Sequence, residues 1–377
     1  MPGSTGIDTR AHYIGLMSGT SMDGIDAVLV TFDTGTVTVQ GHTYHPWPQD
    51  LKNTLRRLSL PGENEIDTLG VADIEVAIEF SRAVFQLLKQ TGFQPEQIKA
   101  IGSHGQTIRH RPDAVHPFTL QVGDPNHLAE QTGITVVADF RRRDIAAEGQ
   151  GAPLAPAFHA AFLHHPAEER VILNLGGIAN ITVLPGNRDK GIIGFDTGPA
   201  NTLMDAWSMR CQQRPYDQDG AWAASGHIQL ELLERLLNAD YFKQPAPKST
   251  GPELFNLDWL EQRCHKISSY KPEDIQATLC ALSIETITRA IGQYAPRCSR
   301  LICCGGGTAN TFLMEQLGQR LKDITVEDTT RHGIPPDQIE ATAFAWLAYQ
   351  TVEGCFGNLP SVTGASHPVI LGGIYQA

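Results

Sequence analysis

The chain has 377 residues, 41% of them hydrophobic and 19% charged, with 36 Gly and 23 Pro; this composition excludes a coiled coil, a disordered tail protein and a fibrous repeat. Lys plus Arg number 29 and Asp plus Glu 41, a formal charge of -12, which would repel a polyanion over most of the surface and excludes nucleic acid as an expected partner. No apolar run approaches the length of about eighteen residues that a membrane span needs, and the opening MPGSTGIDTRAHY lacks the basic-then-apolar pattern of a leader, so a cytoplasmic protein with no membrane partner is expected.

The first apolar run, Tyr13 to Leu16, stops at the polar loop SGTSMDGID, and Ala27 to Phe32 follows, rich in Val and Leu. Two strands joined by a glycine turn are expected there. Thr36 to Tyr44 alternates β-branched and polar residues, so the chain is expected to open with a three-stranded antiparallel meander. Opening hairpins argue against a plain dinucleotide fold, where the first glycine loop leads into a helix. From Leu69 to Leu88 the residues Val71, Ile74, Ile78, Val84 and Leu88 recur at helical spacing and predict an amphipathic helix. Short strands are predicted at Ile98 to Ser103, ending in His104-Gly105-Gln106-Thr107, and at Ile134 to Ala138, ending in Asp139 and a basic turn. Polar residues thus collect where strands stop, which is where open α/β sheets bind ligands.

The second half repeats the theme. Val171 to Asn174, a turn at Gly176-Gly177, Ile181 to Leu184, a turn at Pro185-Gly186-Asn187 and Ile192 to Phe195 again read as strand, glycine turn, strand, hairpin, strand. An internal duplication of architecture is therefore expected. Leu230 to Leu237 and Ile275 to Ile291 are predicted helices, separated by a loop at Pro245 to Gly251. Leu301 to Cys304 is a strand followed by Gly305-Gly306-Gly307, then helices at Ala309 to Leu317 and Glu340 to Tyr349 and a last strand at Pro368 to Leu371. The domain change is placed near Arg141 to Gly151, giving one domain of 1-140 with 336-377 and a second of 141-335. Two such domains would have a cleft between them. Seven Cys, an odd number with Cys303 and Cys304 adjacent and no CxxC, fit neither a disulfide framework nor a zinc cluster and are expected to be buried thiols.

Three glycine-rich turns at the ends of apolar strands, Ser18 to Asp26, Leu175 to Asn180 and Gly305 to Asn310, are the central feature. Glycine lets successive backbone N–H groups point into one cavity, and such groups bind phosphate oxygens. Taken singly, each is more often a tight turn; three with repeated strand context favour phosphate binding. None matches GxxxxGK[ST], which excludes a P-loop nucleotidase. In the first loop Ser18, Thr20 and Ser21 add hydroxyls, while Asp23 and Asp26 could face a magnesium ion or order the turn. Asp196, in GFDTGPAN after a strand, could accept a proton from a hydroxyl or water, or form an Asx-turn; both readings stand. His104 at a strand end favours a ligand-facing role, the run Arg141-Arg142-Arg143 could neutralise an anion, and Glu340 sits in the first turn of a helix, where capping or a bond to substrate hydroxyls would each explain it. Without HExxH, GxSxG or EF-hand spacing, dedicated metal chemistry is not expected, and magnesium would arrive with a nucleotide.

The segments GLMSGTSMDGIDAVLV, GSHGQTIRH, LQVGD, GQGAPL, NLGGIANIT, GFDTGPAN and EATAFAWLA, in this order from about Tyr13 to Gly373, resemble the anhydro-N-acetylmuramic acid kinases. The resemblance implies the duplicated actin/hexokinase/Hsp70-like fold, an α/β fold of two domains with mixed sheets and a ribonuclease H-like core that holds ATP in the interdomain cleft. It implies phosphorylation of O6 of 1,6-anhydro-N-acetylmuramic acid with water added at C1, giving N-acetylmuramic acid 6-phosphate and ADP in peptidoglycan recycling. By resemblance, Gly19, Thr20, Ser21, Met22, Asp23, Gly24, Ile25 and Asp26 form the ATP phosphate loop and Asp196 is the base that activates water. Glu340, Arg143, His104 and Gln106 would meet the sugar, and Gly176, Gly177, Asn180, Gly305, Gly306, Gly307 and Asn310 the remaining phosphates and adenosine side. A homodimer is implied as well. The chain departs from the family at Glu148 and Ala200, where Gly is common. An ordinary amino-sugar kinase on the same fold, with Asp196 deprotonating a hydroxyl, is the alternative enzyme, and an ATP-gated binding module the non-catalytic one.

Overall fold

The computed structural model describes residues 11–19, 22–187, 190–264 and 266–377. By its contacts the chain forms two units, Met1–Phe162 with Glu340–Ala377, and Leu163–Ile339. The stretch after Arg141, where the sequence suggests a change of domain, stays with the first unit because the buried Asp144 carboxylate is bonded to Asn358 and Thr363 of its last segment.

In the first unit, β1 (His12–Ser18), β2 (Gly24–Asp33) and β3 (Thr36–Pro46) form the expected antiparallel meander. β4 (Ile98–Arg111) then runs parallel to β1, and β6 (Val136–Ala138) parallel to β4; β5 (Phe118–Val122) pairs with the far half of β4. In the second unit β7 (Glu169–Leu175), β8 (Ile178–Leu184) and β9 (Ile193–Pro199) form a meander, with β10 (Cys298–Cys304) and β11 (Thr325–Asp328) added in parallel beside β7. The sheets read β3-β2-β1-β4-β6 and β9-β8-β7-β10-β11. This is one ribonuclease H-like order used twice, so the chain has the duplicated α/β fold of the sugar kinase, Hsp70 and actin group. β12 (Gly373–Tyr375) closes the first sheet antiparallel to β6.

Each meander reaches its parallel strand through a long helix, since a parallel pair needs a crossover. Glu65–Thr91 buries Ala72, Val76, Phe80, Val84 and Leu87, a stripe at helical spacing, on one face of the first sheet. Val71 and Ile74, which the sequence assigns to that stripe, lie on its outer side with 59% and 36% of their surface exposed. The helix stops at Gly92, whose φ of 78° suits a residue without Cβ. Pro272–Tyr294 is the corresponding helix of the second unit, packed on Leu173, Phe195 and their neighbours.

Alternation along β1 sends Ile14 and Leu16 to the core under Glu65–Thr91, and Tyr13 and Gly15 to the other face. That face receives the helix Ile339–Val352, whose early residues are small: a Cβ on Gly15 would run into the Ala341 carbonyl, and one on Gly102 into the Phe344 carbonyl. Glycine on the two central strands therefore sets how close this helix lies.

Two local expectations differ from the structure. The strand predicted to end at Ser103 continues to Arg111, so His104 to Thr107 lie within β4; Gly105, at φ 74°, turns the chain onto its new partner β5. Pro368 to Leu371 forms no strand, because Val369 is tied to Asn358 and Gly357 in a loop, and pairing starts only after Gly372. None of the seven Cys forms a disulfide: Cys211 and Cys355 are exposed, and the other five are buried. No described helix is long and apolar enough to cross a membrane.

The close approach of Ile339–Val352 makes Gly102→Ala costly, because the obstacle is backbone and cannot rotate away. A loss of about 1–3 kcal/mol is expected in urea unfolding, and an unchanged midpoint would contradict this packing.

Candidate functional site

In the first unit the turn after β1 is held from beneath. The Ser18 hydroxyl, with one proton, lies 2.7 Å from Gln106 Oε1 and 2.8 Å from the Gly24 carbonyl oxygen, and accepts from Trp47 Nε1 at 3.1 Å. Gln106 Nε2 donates to the carbonyls of Gly19 (3.1 Å) and Thr107 (3.2 Å). Gln106 is fully buried, so its amide is spent on the turn. Met22 takes φ 54°, and its side chain and that of Ile25 are buried in the core, which leaves only their backbones to face a ligand. Asp23 is exposed beside Lys52 at 2.9 Å, and Asp26 meets His42 at 3.1 Å. Thr20 and Ser21 lie outside the described residues.

His104 is buried against the Phe344 ring, with centroids 4.6 Å apart. Its Nε2 accepts from Arg141 Nη2 at 2.8 Å and Nε at 3.1 Å, so that nitrogen carries no proton. Burial and then the Arg141 charge hold its pKa well below the ordinary value, and the imidazole is neutral. Arg141 also donates to the Gly151 carbonyl at 2.9 Å; burial lowers its pKa to about 10, against the opposing pull of Glu340 and then Asp144. The structure thus groups His104, Arg141 and Glu340.

Arg143 does not join them. It is exposed, and Arg142 is paired with Asp139 at 2.7 Å. The reason is helical geometry: on Phe140–Ala146, residues 141 and 144 share the inward side while 142 and 143 point out. Asp144, which sequence reasoning passed over, is the organiser of the GQGAPL loop. Its Oδ1 accepts from Asn358 and Thr363 and its Oδ2 from the Gly151 N–H at 2.8 Å.

In the second unit, residues 200–202 capture successive turn carbonyls. Asn201 Nδ2 donates to Leu175 O (3.1 Å) and Gly176 O (2.8 Å), while the N–H groups of Ala200 and Thr202 donate to Gly177 O at 2.9 and 3.0 Å. In a trans peptide N–H opposes C=O, so the N–H groups of Gly176, Gly177 and Ile178 face away from that segment. The third turn packs on this one: a Cβ on Gly307 would stand 2.7 Å from Leu175 Cβ, and one on Gly305 would strike Asn174. Asn310 Oδ1 accepts from Leu313 N–H and caps a helix. A cavity of about 390 Å³ opens here, lined by Asn201, Asp205, Tyr216, Asp219, Gly306 and Asn310.

Asp196, expected just after a strand, lies inside β9 instead, because the pairing with β8 continues to Pro199; it stands opposite Asn180, where a bulge in the β8–β9 pairing inserts Thr197. The segment after Asp240 fixes it from three sides. Tyr241 Oη donates to the Asp196 carbonyl (2.7 Å), the Asp196 N–H donates to Lys248 O (3.0 Å), and the Thr250 N–H donates to Asp196 Oδ2 (2.9 Å). Among the described residues that is the one hydrogen bond to its carboxylate, and the side chain is half-buried. It is not an Asx-turn: the bonded N–H is far along the chain. Nor do three His, Cys, Asp or Glu side chains converge anywhere among the described residues to hold a metal.

The sequence profile of anhydro-N-acetylmuramic acid kinase matches residues 11–377. The chain belongs to the anhydro-N-acetylmuramic acid kinase family. It is 51% identical over 368 residues to the protein of that name from Shewanella sp. (strain MR-7), covering 98% of this chain and 99% of that one. With the one from Coxiella burnetii (strain RSA 493 / Nine Mile phase I) it shares 50% over 366 residues, 97% and 98% of the two chains. Among solved structures, component A of the Acidaminococcus fermentans (R)-2-hydroxyglutaryl-CoA dehydratase matches with a TM-score of 0.47 at 10% identity, over 91% of this chain and 99% of that one.

For this member of the anhydro-N-acetylmuramic acid kinase family the two departures are structurally unequal. Ala200 is buried and keeps φ outside the left-handed region, so its methyl group is accommodated. Glu148 takes φ 69° at the end of Phe140–Ala146, a conformation that costs a residue with Cβ roughly 1–2 kcal/mol. Burial, and less so the Glu253 charge, raise the Asp196 pKa from 3.8 to about 6, while the Thr250 N–H pulls it down.

Two outcomes follow from these contacts. Gln106→Ala should raise KM for ATP by about tenfold, a loss near one net hydrogen bond to a loop, with KM for the sugar unchanged; equal effects on both would place Gln106 against the sugar instead. In the base role that the family resemblance implies for Asp196 the carboxylate must be deprotonated, so kcat should fall as pH drops through about 6, and Glu253→Gln, by removing a negative neighbour, should move that acid limb to lower pH. A limb that stays in place would remove Glu253 from this role.

Proposed function

We propose that this chain transfers the γ-phosphoryl group of ATP to O6 of 1,6-anhydro-N-acetylmuramic acid while water adds at C1, giving N-acetylmuramic acid 6-phosphate and ADP in cell-wall recycling. Family membership over the whole matched length supports the substrate and the use of ATP. The observation that carries the chemistry is Asp196, a half-buried carboxylate with a raised pKa and one oxygen engaged by Thr250. Such a group takes a water proton at neutral pH. As the C1–O bond of the attacking water forms, the C1–O6 bond breaks and its electron pair goes to O6, which the γ-phosphoryl group captures; no separate strong acid is needed. Asp196 then releases the proton to solvent.

In this reading Gly19 to Asp26 cradle phosphates, with Thr20 and Ser21 contributing as part of that segment, and the turns at Gly176-Gly177 and Gly305-Gly307 serve the remaining phosphates. Asn180 stands beside Asp196 on the neighbouring strand, and the cavity at Asn310 takes the adenosine side. Glu340 binds the sugar, and Arg141, through its bonds to His104 and the Gly151 carbonyl, fixes the floor beneath it; the expected contact from Arg143 is not part of this reading, because that side chain points outward. The exposed Asp23 carboxylate beside the first turn fits a magnesium ion held chiefly by phosphates; bound there, it would neutralise charge on the transferring group. A homodimer acting in the cytoplasm belongs to the same reading on family resemblance alone.

Product analysis in oxygen-labelled water tests it. ADP release should require the anhydro sugar, label should appear at C1, and Asp196→Asn should keep ATP binding while losing roughly 10²–10⁴-fold in kcat. Near-normal turnover of that variant, or activity on plain N-acetylglucosamine without label at C1, would overturn the assignment.

A further inference from the structure

A second cavity, of about 300 Å³, lies in the same unit as Asp196 and shares its supports. Phe195 and Thr197, the residues on either side of Asp196, line it, as do Phe242, Lys248, Arg289 and Tyr294. Every one of these except Arg289 bears on the strand or segment that fixes the carboxylate. The Lys248 carbonyl accepts the Asp196 N–H, and its ammonium donates to the Tyr241 carbonyl at 3.0 Å and sits 4.5 Å from the Tyr241 ring centroid. Tyr241 Oη in turn holds the Asp196 carbonyl. Tyr294 Oη accepts from the Ala246 N–H at 2.8 Å, and the Phe242 ring stands where a Cβ on Gly198 would come within 2.7 Å of it.

The charge of the lining is the anomaly. In a chain of net charge -12, this cavity is lined by Lys243, Lys248 and Arg289 and by no Asp or Glu. Lys243 and Arg289 pair with Asp240 and Glu285 at the exposed rim, and surface pairs of that kind hold their cations weakly, by about 0–1 kcal/mol. Lys248 is half-buried, and burial lowers its pKa; an anion beside it would restore stabilisation that desolvation removes. The remaining wall is mixed: Phe195, Leu237, Phe242 and Tyr294 supply an apolar and aromatic part, beside uncharged polar residues such as Asn238 and Gln293. A positive rim over an aromatic floor is the chemistry of a site for an organic anion, and the volume lies at the small end of ligand pockets.

We propose that this cavity is a second binding site, for an organic anion with a ring or alkyl body, and that its occupant acts on Asp196 through Lys248 and Tyr241. An anion that draws the Lys248 ammonium off the Tyr241 carbonyl and ring shifts the segment to which both the backbone and one carboxylate oxygen of Asp196 are bonded. The effect belongs to kcat rather than to nucleotide binding.

The probe is naphthalenesulfonate, with the uncharged naphthalenesulfonamide as its counterpart, titrated calorimetrically into the full chain with and without ATP. One saturable site is expected that ATP does not displace and that the sulfonamide does not fill. The paired change Lys243→Gln with Arg289→Gln, both at the exposed rim, should weaken the sulfonate by about tenfold or more and leave turnover without probe unchanged. At saturation kcat should change by about twofold or more, with KM for ATP constant. Absence of saturable binding, equal affinity in the paired variant, equal binding of the sulfonamide, displacement by ATP, or an unaltered kcat at saturation would each overturn the proposal. Because binding is read without turnover, these outcomes are distinct from any failure of the assigned kinase reaction.

Discussion

A carboxylate that is to accept a proton from water near neutral pH has to be partly withdrawn from solvent and yet not fully satisfied. In the base role proposed for it, Asp196 meets both demands through its backbone. Its N–H and C=O are claimed by Lys248 and Tyr241, which fixes this part of the strand, while among the described residues only one side-chain oxygen is bonded, by the Thr250 N–H. Burial then raises the pKa and that single hydrogen bond limits the rise. A second donor to the carboxylate would return the group toward its ordinary acidity and weaken it as a base; removal of the existing one would raise its pKa further. The bulge at Thr197, the loop after Asp240 and the helix Pro272–Tyr294 beneath them are the scaffold of that compromise.

Glycine serves two unrelated ends in this fold. At Gly15 and Gly102 it lets a helix carbonyl approach a strand, and at Gly305 and Gly307 it lets one turn lie on another. At Gly176 and Gly177 no such contact demands it within 3 Å, and there the captured carbonyls leave N–H groups on the free side. The same residue type therefore marks packing in one place and exposed backbone in the other, and a glycine-rich turn takes its meaning only from what stands where its Cβ would be.

Much of the architecture could be read along the chain. Both meanders, both crossover helices and the three glycine turns follow from alternation, helical spacing and turn residues such as Asp33 to Gly35. The interior of β4 could not, since its continuation past Gly105 depends on a partner, Phe118–Val122, that no local pattern announces. The site divides the same way. Glu340 is conspicuous by its position in the first turn of a helix and Asp196 by its place between Gly194 and Gly198, but which of three consecutive arginines turns inward depends on where a short helix begins. His104 and Gln106 look like ligand-facing polar residues; one is a neutral ring serving Arg141 and the other a strut under the first turn. The EGQG segment could have drawn attention to Asp144, because a loop with several glycines needs a fixed acceptor to organise its N–H groups.

The two halves also share a device that simple identity of residues would not reveal. In each, a side-chain carboxamide holds carbonyl groups of the first turn: Gln106 binds that of Gly19, and Asn201 binds those of Leu175 and Gly176. In the second half the positive end of each captured peptide is thereby directed outward by an anchor that lies beyond the turn. Polarity of this kind carries no titratable group, so it persists whatever the proton concentration. It also does not depend on the turn's own side chains, because the anchoring amides lie elsewhere in the chain.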